Sequence, residues 1–235
     1  MLSIKNLCVD YDGIVALDGV SIDAPDAAVT TLIGANGAGK TTLLKTISGL
    51  LQPSSGEITF ESLSLLGEKP EAIVGRGISH IPEGRGLFPA LSVHDNLLTG
   101  AHLRRDKDGI KADLNKVYSY FPVLKDRSRQ LAKTMSGGQQ QMLAIGRGIM
   151  ANPKFYLFDE PSVGLAPLVV EEVLNTIKNI SVNEKRGVVL VEQNANLALR
   201  IAEKSYVLEM GTVVLEGTGR SVAEDPRIRK AYLGL

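Results

Sequence analysis

The sequence predicts an α/β fold built on a mixed sheet with an inserted helical segment. After residue 154, short apolar runs alternate with helix-length segments, a pattern typical of a largely parallel sheet. A glycine-rich loop separates an apolar run from a helical pattern within residues 29–47. Residues 93–150 carry long helical patterns and few β-branched runs. We therefore expect one α/β unit that is interrupted by helices.

The N-terminal part predicts antiparallel strands. Apolar and polar residues alternate over residues 2–10, and a second strand at 14–23 follows the turn Asp12-Gly13. Residues 53–56 predict a turn, and 58–60 predict another strand. Strands joined by such tight turns pair antiparallel, so this region should form its own part of the sheet.

The C-terminal part predicts the elements of a parallel sheet. Strands are expected at 155–158 and 187–191, helices at 167–183 and 195–202, and a hairpin at 205–215 around Met210 and Gly211.

Composition excludes several classes of protein. The 235 residues are enough to bury roughly 70% of the unfolded chain's surface without disulfides. Lys plus Arg and Asp plus Glu both number 26, so a globally basic nucleic-acid binder is not expected. Cys8 is the only cysteine, which excludes an internal disulfide and fits a reducing compartment. We expect neither a signal peptide nor a membrane span.

A complete phosphate-binding motif follows the third predicted strand. It fits G-x-x-x-x-G-K-[ST] between a strand and a helix, which is the context that the motif requires. Glycines let backbone N–H groups curl around phosphate oxygens, and the helix directs its positive end at the same anion. Lys40 can reach the β- and γ-phosphates, and the Thr41 hydroxyl can bind Mg²⁺. The motif reads Gly34, Ala35, Asn36, Gly37, Ala38, Gly39, Lys40 and Thr41.

Two adjacent carboxylates end the apolar strand at 155–158. Ligands of open α/β sheets bind at the carboxyl ends of strands, where Asp159 and Glu160 should lie. Asp159 can hold the Mg²⁺ shell, and Glu160 can accept a proton from attacking water. An acidic pair often only marks a loop, but the phosphate motif upstream favours the catalytic interpretation.

A second glycine loop opens a helical segment. Residues 135–139 read Met-Ser-Gly-Gly-Gln, and their hydroxyl and free amides could bind an anion. A plain serine N-cap at Ser136 is the alternative.

Together the three motifs resemble the ATP-binding subunits of ABC transporters, over essentially the whole chain. The family's LSGGQ signature stands here as MSGGQ. The resemblance implies a P-loop NTPase of ABC type. Residues 1–92 and 151–235 would form its nucleotide-binding core, and residues 93–150 a helical subdomain that carries the signature loop. Five stretches resemble, more narrowly, the shorter ATPase subunit of bacterial branched-chain amino-acid importers: residues 82–85, 136–147, 160–167, 191–197 and 225–233.

The resemblance also implies where ATP and Mg²⁺ bind. Tyr11 lies where the family stacks a ring on adenine, although a plain surface tyrosine is the alternative. In that family, Ser136 and Gly138 contact the γ-phosphate held by the opposite subunit. The residues expected to bind nucleotide are Tyr11, Gly34, Asn36, Gly37, Ala38, Gly39, Lys40, Thr41, Thr42, Glu83, Ser136, Gly137, Gly138 and Gln139. The expected catalytic residues are Lys40, Glu160 and Gln193, and the expected metal ligands are Thr41, Glu83 and Asp159.

Three positions depart from the broad family pattern. Gln193 stands where many members have a histidine, and its amide can bind phosphate but cannot become cationic. Glu83 replaces a glutamine and adds negative charge near the phosphates. Ala166 replaces an aspartate that makes polar contacts across the dimer. We expect these changes to slow this chain's own site relative to that of its partner.

The resemblance implies an ATPase that dimerises on ATP and powers a membrane permease. Expected partners are a second ATP-binding subunit, identical or homologous, two integral membrane permease subunits and, indirectly, a periplasmic or extracellular substrate-binding protein. No nucleic acid is expected. The chain would lie peripherally on the cytoplasmic face of the bacterial inner membrane. The alternatives are a subunit of a urea or amide importer, of a lipid or polysaccharide exporter, and a soluble ABC ATPase without a transport role.

Overall fold

The computed structural model describes residues 1–233, so the last two residues of the predicted domain lie outside the described residues. The strands of this part are β1 (Leu2–Tyr11), β2 (Ile14–Ala24), β3 (Val29–Ile33), β4 (Ser55–Phe60), β5 (Leu63–Ser64), β6 (Ile78–Ile81), β7 (Phe155–Asp159), β8 (Gly187–Glu192), β9 (Lys204–Glu209) and β10 (Thr212–Gly217).

The helices of the same part are α1 (Lys40–Ile47), α2 (Pro70–Gly75), α3 (Val93–Gly100), α4 (Lys107–Tyr120), α5 (Pro122–Asp126), α6 (Gly137–Met150), α7 (Pro167–Val182), α8 (Ala195–Leu199), α9 (Gly219–Glu224) and α10 (Pro226–Ile228). A 3₁₀ turn covers Ala132–Thr134, and a π-helical turn covers Arg229–Leu233.

The larger sheet has six strands in the order β10-β9-β3-β8-β7-β6. All neighbours are parallel except β10, which pairs antiparallel with β9. The residues of β3, β7 and β8 are buried throughout, as expected for parallel strands covered on both faces. Their register pairs Ile33 with Glu192 and Asp159 with Val191. The carboxyl ends of β3, β7 and β8 therefore lie side by side.

The smaller sheet is antiparallel, in the order β2-β1-β4-β5. Its apolar residues alternate toward a core shared with α1 and one face of the larger sheet. The hydroxyl of Tyr206 on β9 accepts a hydrogen bond from the backbone N–H of Asp23 on β2, at 2.9 Å. Two sheets are therefore joined where the sequence predicted one mixed sheet with an antiparallel part.

Helices α3 to α6 occupy the stretch between β6 and β7, and they share a second core with the other face of the larger sheet. Helix α3 packs closely on α6 because Gly100 has no side chain. A Cβ there would collide with the carbonyl oxygen of Arg147. The division of the chain into a core and a helical subdomain at residues 93 and 150 stays a prediction.

A partly buried ionic network fastens α4 to the rest of the chain. The carboxylate of Asp113 lies 2.6 Å from Arg104 Nη1 and 3.0 Å from Lys116 Nζ. Lys116 also reaches Glu184 at 2.9 Å, just beyond α7, and Arg104 donates to the carbonyl of Met150 at the end of α6. Through these two cations, Asp113 on α4 is connected to the end of α6 and to the segment that follows α7.

The tight turns of the sequence analysis are confirmed. Asp12 and Gly13 have φ of 50° and 88°, and Met210 and Gly211 have 46° and 80°, as type I′ hairpin turns require. The turn predicted at residues 53–56 is shorter than expected, because Ser55 and Gly56 already belong to β4. Strand β6 and helix α2 were not predicted.

Replacing Asp113 by alanine should lower the free energy of unfolding by about 2 kcal/mol, because Arg104 and Lys116 would lose their shared carboxylate while keeping other partners. Urea denaturation would measure the loss. Asp126→Ala, at an exposed position at the end of α5, serves as the control and should change stability by less than about 0.5 kcal/mol. An equal effect of the two variants would contradict the role assigned to the network.

Candidate functional site

The loop between β3 and α1 has the backbone geometry of a phosphate cradle. Gly39 has φ of 105°, and a Cβ there would stand 2.6 Å from Cδ2 of Leu17. At Gly34 a Cβ would collide with the carbonyl oxygen of Leu208. Only glycine fits at both positions, so the loop can curl tightly before the helix. The first N–H groups of α1 have no partner within the helix, which makes this end a site for an anion.

Lys40, the first residue of α1, is 4% exposed. Its ammonium donates to the carbonyl oxygens of Gly34, at 2.7 Å, and Ala35, at 3.0 Å. It also lies 3.2 Å from Oε1 of Glu160. The loop's own carbonyls thus hold the ammonium at the mouth of the cradle, where it can meet both a phosphate and the Glu160 carboxylate.

Thr41 and Asp159 form an oxygen-rich pair below the cradle. The Thr41 hydroxyl donates to Oδ1 of Asp159 at 3.2 Å. Burial raises the pKa of Asp159, and the nearby carboxylates of Glu160 and Glu83 add to the rise, while the hydrogen bond from Thr41 opposes it.

The donor set around Asp159 fits Mg²⁺. Hydroxyl and carboxylate oxygens are the ligands that this ion prefers, and it typically takes one or two carboxylates together with substrate phosphates and water. Within residues 1–233 no group of three or more His, Cys, Asp or Glu side chains forms a metal site. Phosphate oxygens and water would therefore have to complete the coordination.

Glu160 follows β7 in a left-handed backbone conformation, with φ of 46°. Its N–H donates to the carbonyl oxygen of Val191 at 2.9 Å, which ties the end of β7 to β8. This conformation is uncommon for residues other than glycine and is found at sites that the surrounding structure holds firmly. The turn leaves the side chain beside Lys40.

A cavity of about 540 Å³ opens over the cradle, a size typical of ligand pockets. The structure brings most of the predicted site residues together around it. The hydroxyl of Tyr11, which is 43% exposed, lies 3.4 Å from that of Thr42. The cavity is lined by Tyr11, Ala16, Asn36, Gly37, Gly39, Lys40, Thr41, Thr42, Glu83, Glu160, Val163 and Gln193.

The remaining predicted residues lie outside this lining. Gly34, Ala38 and Asp159 are buried beneath the cavity, where they shape or support the loop. The signature residues Ser136, Gly137, Gly138 and Gln139 stand elsewhere, at the start of α6.

The start of α6 has the local geometry of a capped helix. Ser136 accepts a hydrogen bond from the N–H of Gln139 at 3.4 Å, and the Gln139 side chain accepts one from the N–H of Ser136 at 3.2 Å. The two residues form a capping box, so the N-cap alternative is confirmed as a structural fact. An N-cap is compatible with anion binding, because the capping hydroxyl can still donate a hydrogen bond and the other first N–H groups of a helix have no partner within it.

Sequence reasoning missed three residues at the site. Ala16 and Val163 line the cavity through small apolar side chains, which carry no recognisable motif. Glu192, at the end of β8, is 1% exposed and accepts two hydrogen bonds from Ser162. Burial, with the charge of Glu160 added to it, raises the pKa of Glu192 to about 7, against opposing hydrogen bonds from Ser162. The two adjacent residues Glu192 and Gln193 at a strand end resemble Asp159-Glu160 and could have drawn attention.

A model of the ABC transporter family matches residues 17–163, which is more than half of the chain. The chain is 46% identical over 234 residues to the high-affinity branched-chain amino acid transport ATP-binding protein BraG of Pseudomonas aeruginosa, with 100% of both chains covered. It is 31% identical to a probable branched-chain amino acid transport ATP-binding protein, LivF of Archaeoglobus fulgidus, covering 100% of this chain and 99% of the relative.

More distant relatives act in other transport systems. The lipopolysaccharide export system ATP-binding protein LptB of Escherichia coli is 29% identical, with 99% and 97% of the two chains covered. Among solved structures, the ADP conformation of MJ1267, an ATP-binding cassette of an ABC transporter, superposes with a TM-score of 0.86 at 26% identity, covering 100% and 99% of the chains.

Within residues 1–233, no helix combines the length and apolar character that a membrane crossing requires. The cradle, the acidic pair, the fold and the sequence comparisons agree. The chain therefore belongs to the ABC transporter family, as one of its ATP-hydrolysing ATP-binding subunits.

Proposed function

We propose that this chain is the ATPase subunit of a branched-chain amino-acid importer. The observation that carries the proposal is the identity of 46% with BraG across the full length of both chains. Identity with the exporter subunit LptB is 29%, so the similarity favours import of branched-chain amino acids over export of lipopolysaccharide. The five sequence stretches of the shorter importer subunit support the same assignment.

In this proposal the cavity holds ATP in one orientation. The triphosphate lies in the loop from Gly34 to Thr42, where the start of α1 offers free amides and Lys40 offers its charge. The adenine stacks on Tyr11 at the exposed end of the cavity, which Ala16 also lines. Any aromatic ring at position 11 would provide the flat face that stacking needs.

Thr41 and Asp159 would hold Mg²⁺, and Glu83, which lines the same cavity, would contribute a ligand or hold a water. Bound there, Mg²⁺ would neutralise the negative charge that develops on the phosphates during transfer. The hydrogen bond between the Thr41 hydroxyl and Asp159 already places these two oxygens together.

Hydrolysis would depend on Glu160 and its neighbours. Glu160 orients the attacking water and accepts its proton, and the left-handed turn holds this carboxylate at the cavity wall. Lys40 stabilises the phosphate charge and pairs with Glu160, at 3.2 Å. Gln193 lines the same wall and can donate an amide hydrogen bond to the γ-phosphate.

A second subunit would complete the site. Ser136, Gly137, Gly138 and Gln139 stand at the start of α6 outside the cavity of their own chain. Contact of these residues with the γ-phosphate bound by another subunit would close the dimer on ATP, and loss of that phosphate would open it. Ala166 is the N-cap of α7, and its methyl group cannot accept a capping hydrogen bond. For the same reason it cannot make the polar contacts that an aspartate would make. A slower site in this chain stays a prediction.

The dimer would act on two permease subunits, and a periplasmic or extracellular protein would deliver the amino acid to them. This arrangement would place the chain on the cytoplasmic face of a bacterial inner membrane as a peripheral subunit. The cargo assignment rests on the similarity to BraG.

Purification of the tagged chain from native membranes in mild detergent tests the proposed function. We expect two many-span membrane proteins and a second, slightly larger ATPase in equal amounts, with ATPase activity stimulated by leucine and its binding protein. The proposal would be contradicted by stimulation with urea or a short amide, or by membrane partners that belong to an exporter. It would also be contradicted by ribosomes or DNA-repair factors in place of membrane proteins.

Glu160→Gln should lower ATP hydrolysis by roughly 10²–10⁴-fold, because the amide cannot accept the proton from water. ATP affinity should be retained, since the phosphate cradle is untouched. Phosphate release and calorimetric ATP binding would measure the two effects. Glu171→Gln, at a partly exposed position on α7 where the carboxylate pairs with Arg200, is the control and should hydrolyse ATP normally. Hydrolysis of ATP by Glu160→Gln at the wild-type rate would remove Glu160 from the mechanism.

Tyr11→Ala should raise the Kd for ATP roughly tenfold, because stacking of a base on an aromatic ring contributes about 1–3 kcal/mol. Tyr11→Phe should bind within about twofold of the wild type, since it keeps the flat face. Fluorescence titration with a labelled ATP analogue would compare them. Equal affinity of the alanine variant and the wild type would show that Tyr11 is an ordinary surface residue.

A further inference from the structure

Glu192 is a buried carboxylate between the two loops that carry Glu160 and Gln193. It is the last residue of β8 and comes directly before Gln193. Its Oε1 accepts a hydrogen bond from the N–H of Ser162 at 3.1 Å, and its Oε2 accepts one from the Ser162 hydroxyl at 2.8 Å. The Glu192 carboxylate therefore accepts hydrogen bonds from both the N–H and the hydroxyl of Ser162, on the neighbouring loop.

Ser162 lies two residues after Glu160, so the contact fixes the loop close to the water-activating side chain. The backbone bond from the Glu160 N–H to the carbonyl of Val191 precedes the contact of Ser162 with Glu192, by two residues after β7 and by one residue along β8. Two successive bonds thus join the end of β7 to the end of β8. Any shift of the β8 end should move Glu160 and Gln193 together.

The choice of a carboxylate at this position is costly. Burying a charged group is unfavourable unless hydrogen bonds compensate it. A glutamine could bridge the same loop with no charge, because its carbonyl would accept the N–H of Ser162 and its amide would donate to the hydroxyl. If the side chain at position 192 only joined the two loops, a glutamine would be sufficient and a glutamate would not be needed.

We infer that Glu192 is a positioning residue for ATP hydrolysis, which couples the loop of Glu160 to the loop of Gln193 through Ser162. The inference rests on the proposed roles of Glu160 and Gln193. Glu192 does not touch the nucleotide cavity and acts only through its neighbours.

The surroundings of Glu192 also make the tie sensitive to pH. Burial and the carboxylate of Glu160 raise the pKa of Glu192 to about 7, while the N–H groups of Ser162 and Asn194 and the Ser162 hydroxyl oppose the rise. From the C-terminal segment, Tyr232 lines the cavity beside Glu192, and its hydroxyl lies 3.1 Å from Glu209.

Protonation changes one of the two bonds. Above a pH of about 7 the ionised carboxylate accepts both bonds from Ser162. Below it, the protonated oxygen must donate, so the bond to the Ser162 hydroxyl reverses while the N–H bond stays. Loss of the charge also removes the repulsion between Glu192 and Glu160.

Steady-state ATP hydrolysis by the complex with its permease, between pH 5.5 and 8.5, tests the inference. Glu192→Ala and Ser162→Ala should each lower kcat by about 10- to 100-fold, because misplacing a reacting group by about 1 Å has effects of that size. The KM for ATP should stay within about threefold. The double variant should be no slower than Glu192→Ala, since Glu192→Ala already removes the hydroxyl bond that Ser162→Ala removes.

Glu192→Gln is the matched variant that separates positioning from simple packing. It should keep kcat at high pH within about fivefold of the wild type. The wild-type kcat should show an inflection near pH 7, where Glu192 gains or loses its proton, and Glu192→Gln should lose that inflection. Glu216→Gln, at an exposed position on β10, should match the wild type throughout. Thermal denaturation would exclude variants that fail to fold. Ser162→Ala tests the hydroxyl bond to Glu192 by removing a single oxygen atom, so it is less disruptive than Glu192→Ala.

Three outcomes would each contradict a part of the inference. Wild-type hydrolysis with unchanged kcat in Glu192→Ala and Ser162→Ala would overturn the positioning role and leave the proposed function intact. A wild-type complex that binds ATP without hydrolysing it would overturn both. An inflection near pH 7 that persists in Glu192→Gln would show that another group titrates there. It would overturn the pH sensitivity assigned to Glu192.

Discussion

The in-register parallel pairing of β3, β7 and β8 is the constraint on which the site depends. It sets Ile33 beside Glu192 and Asp159 beside Val191, so three strands end at one edge of the sheet. The phosphate cradle follows the first of these ends, the acidic pair the second, and Gln193 the third. A slip of one residue in any pairing would turn its side chains to the opposite face of the sheet. Burial of all three strands on both faces makes such a slip costly.

The electrostatics of the site follow from this crowding. Asp159, Glu160 and Glu83 converge near one buried lysine and one helix start. Such an arrangement favours a cation beside Asp159 and an anion at the cradle, which together describe a magnesium-bound triphosphate. The ammonium of Lys40 lies between the loop carbonyls and the carboxylate of Glu160. It can therefore bind a phosphate in the cradle while it neutralises part of the negative charge of the carboxylates. Burial, with the charge of Glu160 added to it, raises the pKa of Glu192 to about 7 at the neighbouring strand end.

Much of the fold and of the site could be predicted from the sequence because their causes are local. The phosphate loop is set in part by the positive φ that Gly39 accepts, and the hairpin turns by residues that accept positive φ. Strand β6 was missed because its four residues include Ser79 and His80, which hide the apolar pattern. Helix α2 spans only six residues and shows little periodicity.

The rest of the site depends on neighbours that are distant in sequence. Ala16 and Val163 have no chemistry of their own, and only the folded chain shows that they border the cavity. The role of Glu192 required knowledge that Ser162, thirty residues earlier, lies against it. Glu83 and Gln193 entered the prediction through family resemblance, because neither has a local signature.

A crystal structure of Glu160→Gln with ATP and Mg²⁺ would test the central claim most directly, because the variant should bind nucleotide without hydrolysing it. We expect two copies of the chain, or this chain with its partner ATPase. Each ATP should lie between the phosphate loop of one subunit and the signature loop of the other, with Lys40 on the phosphates. Nucleotide bound away from the start of α1, or held in a single subunit with Ser136 and Gly138 facing solvent, would contradict the account.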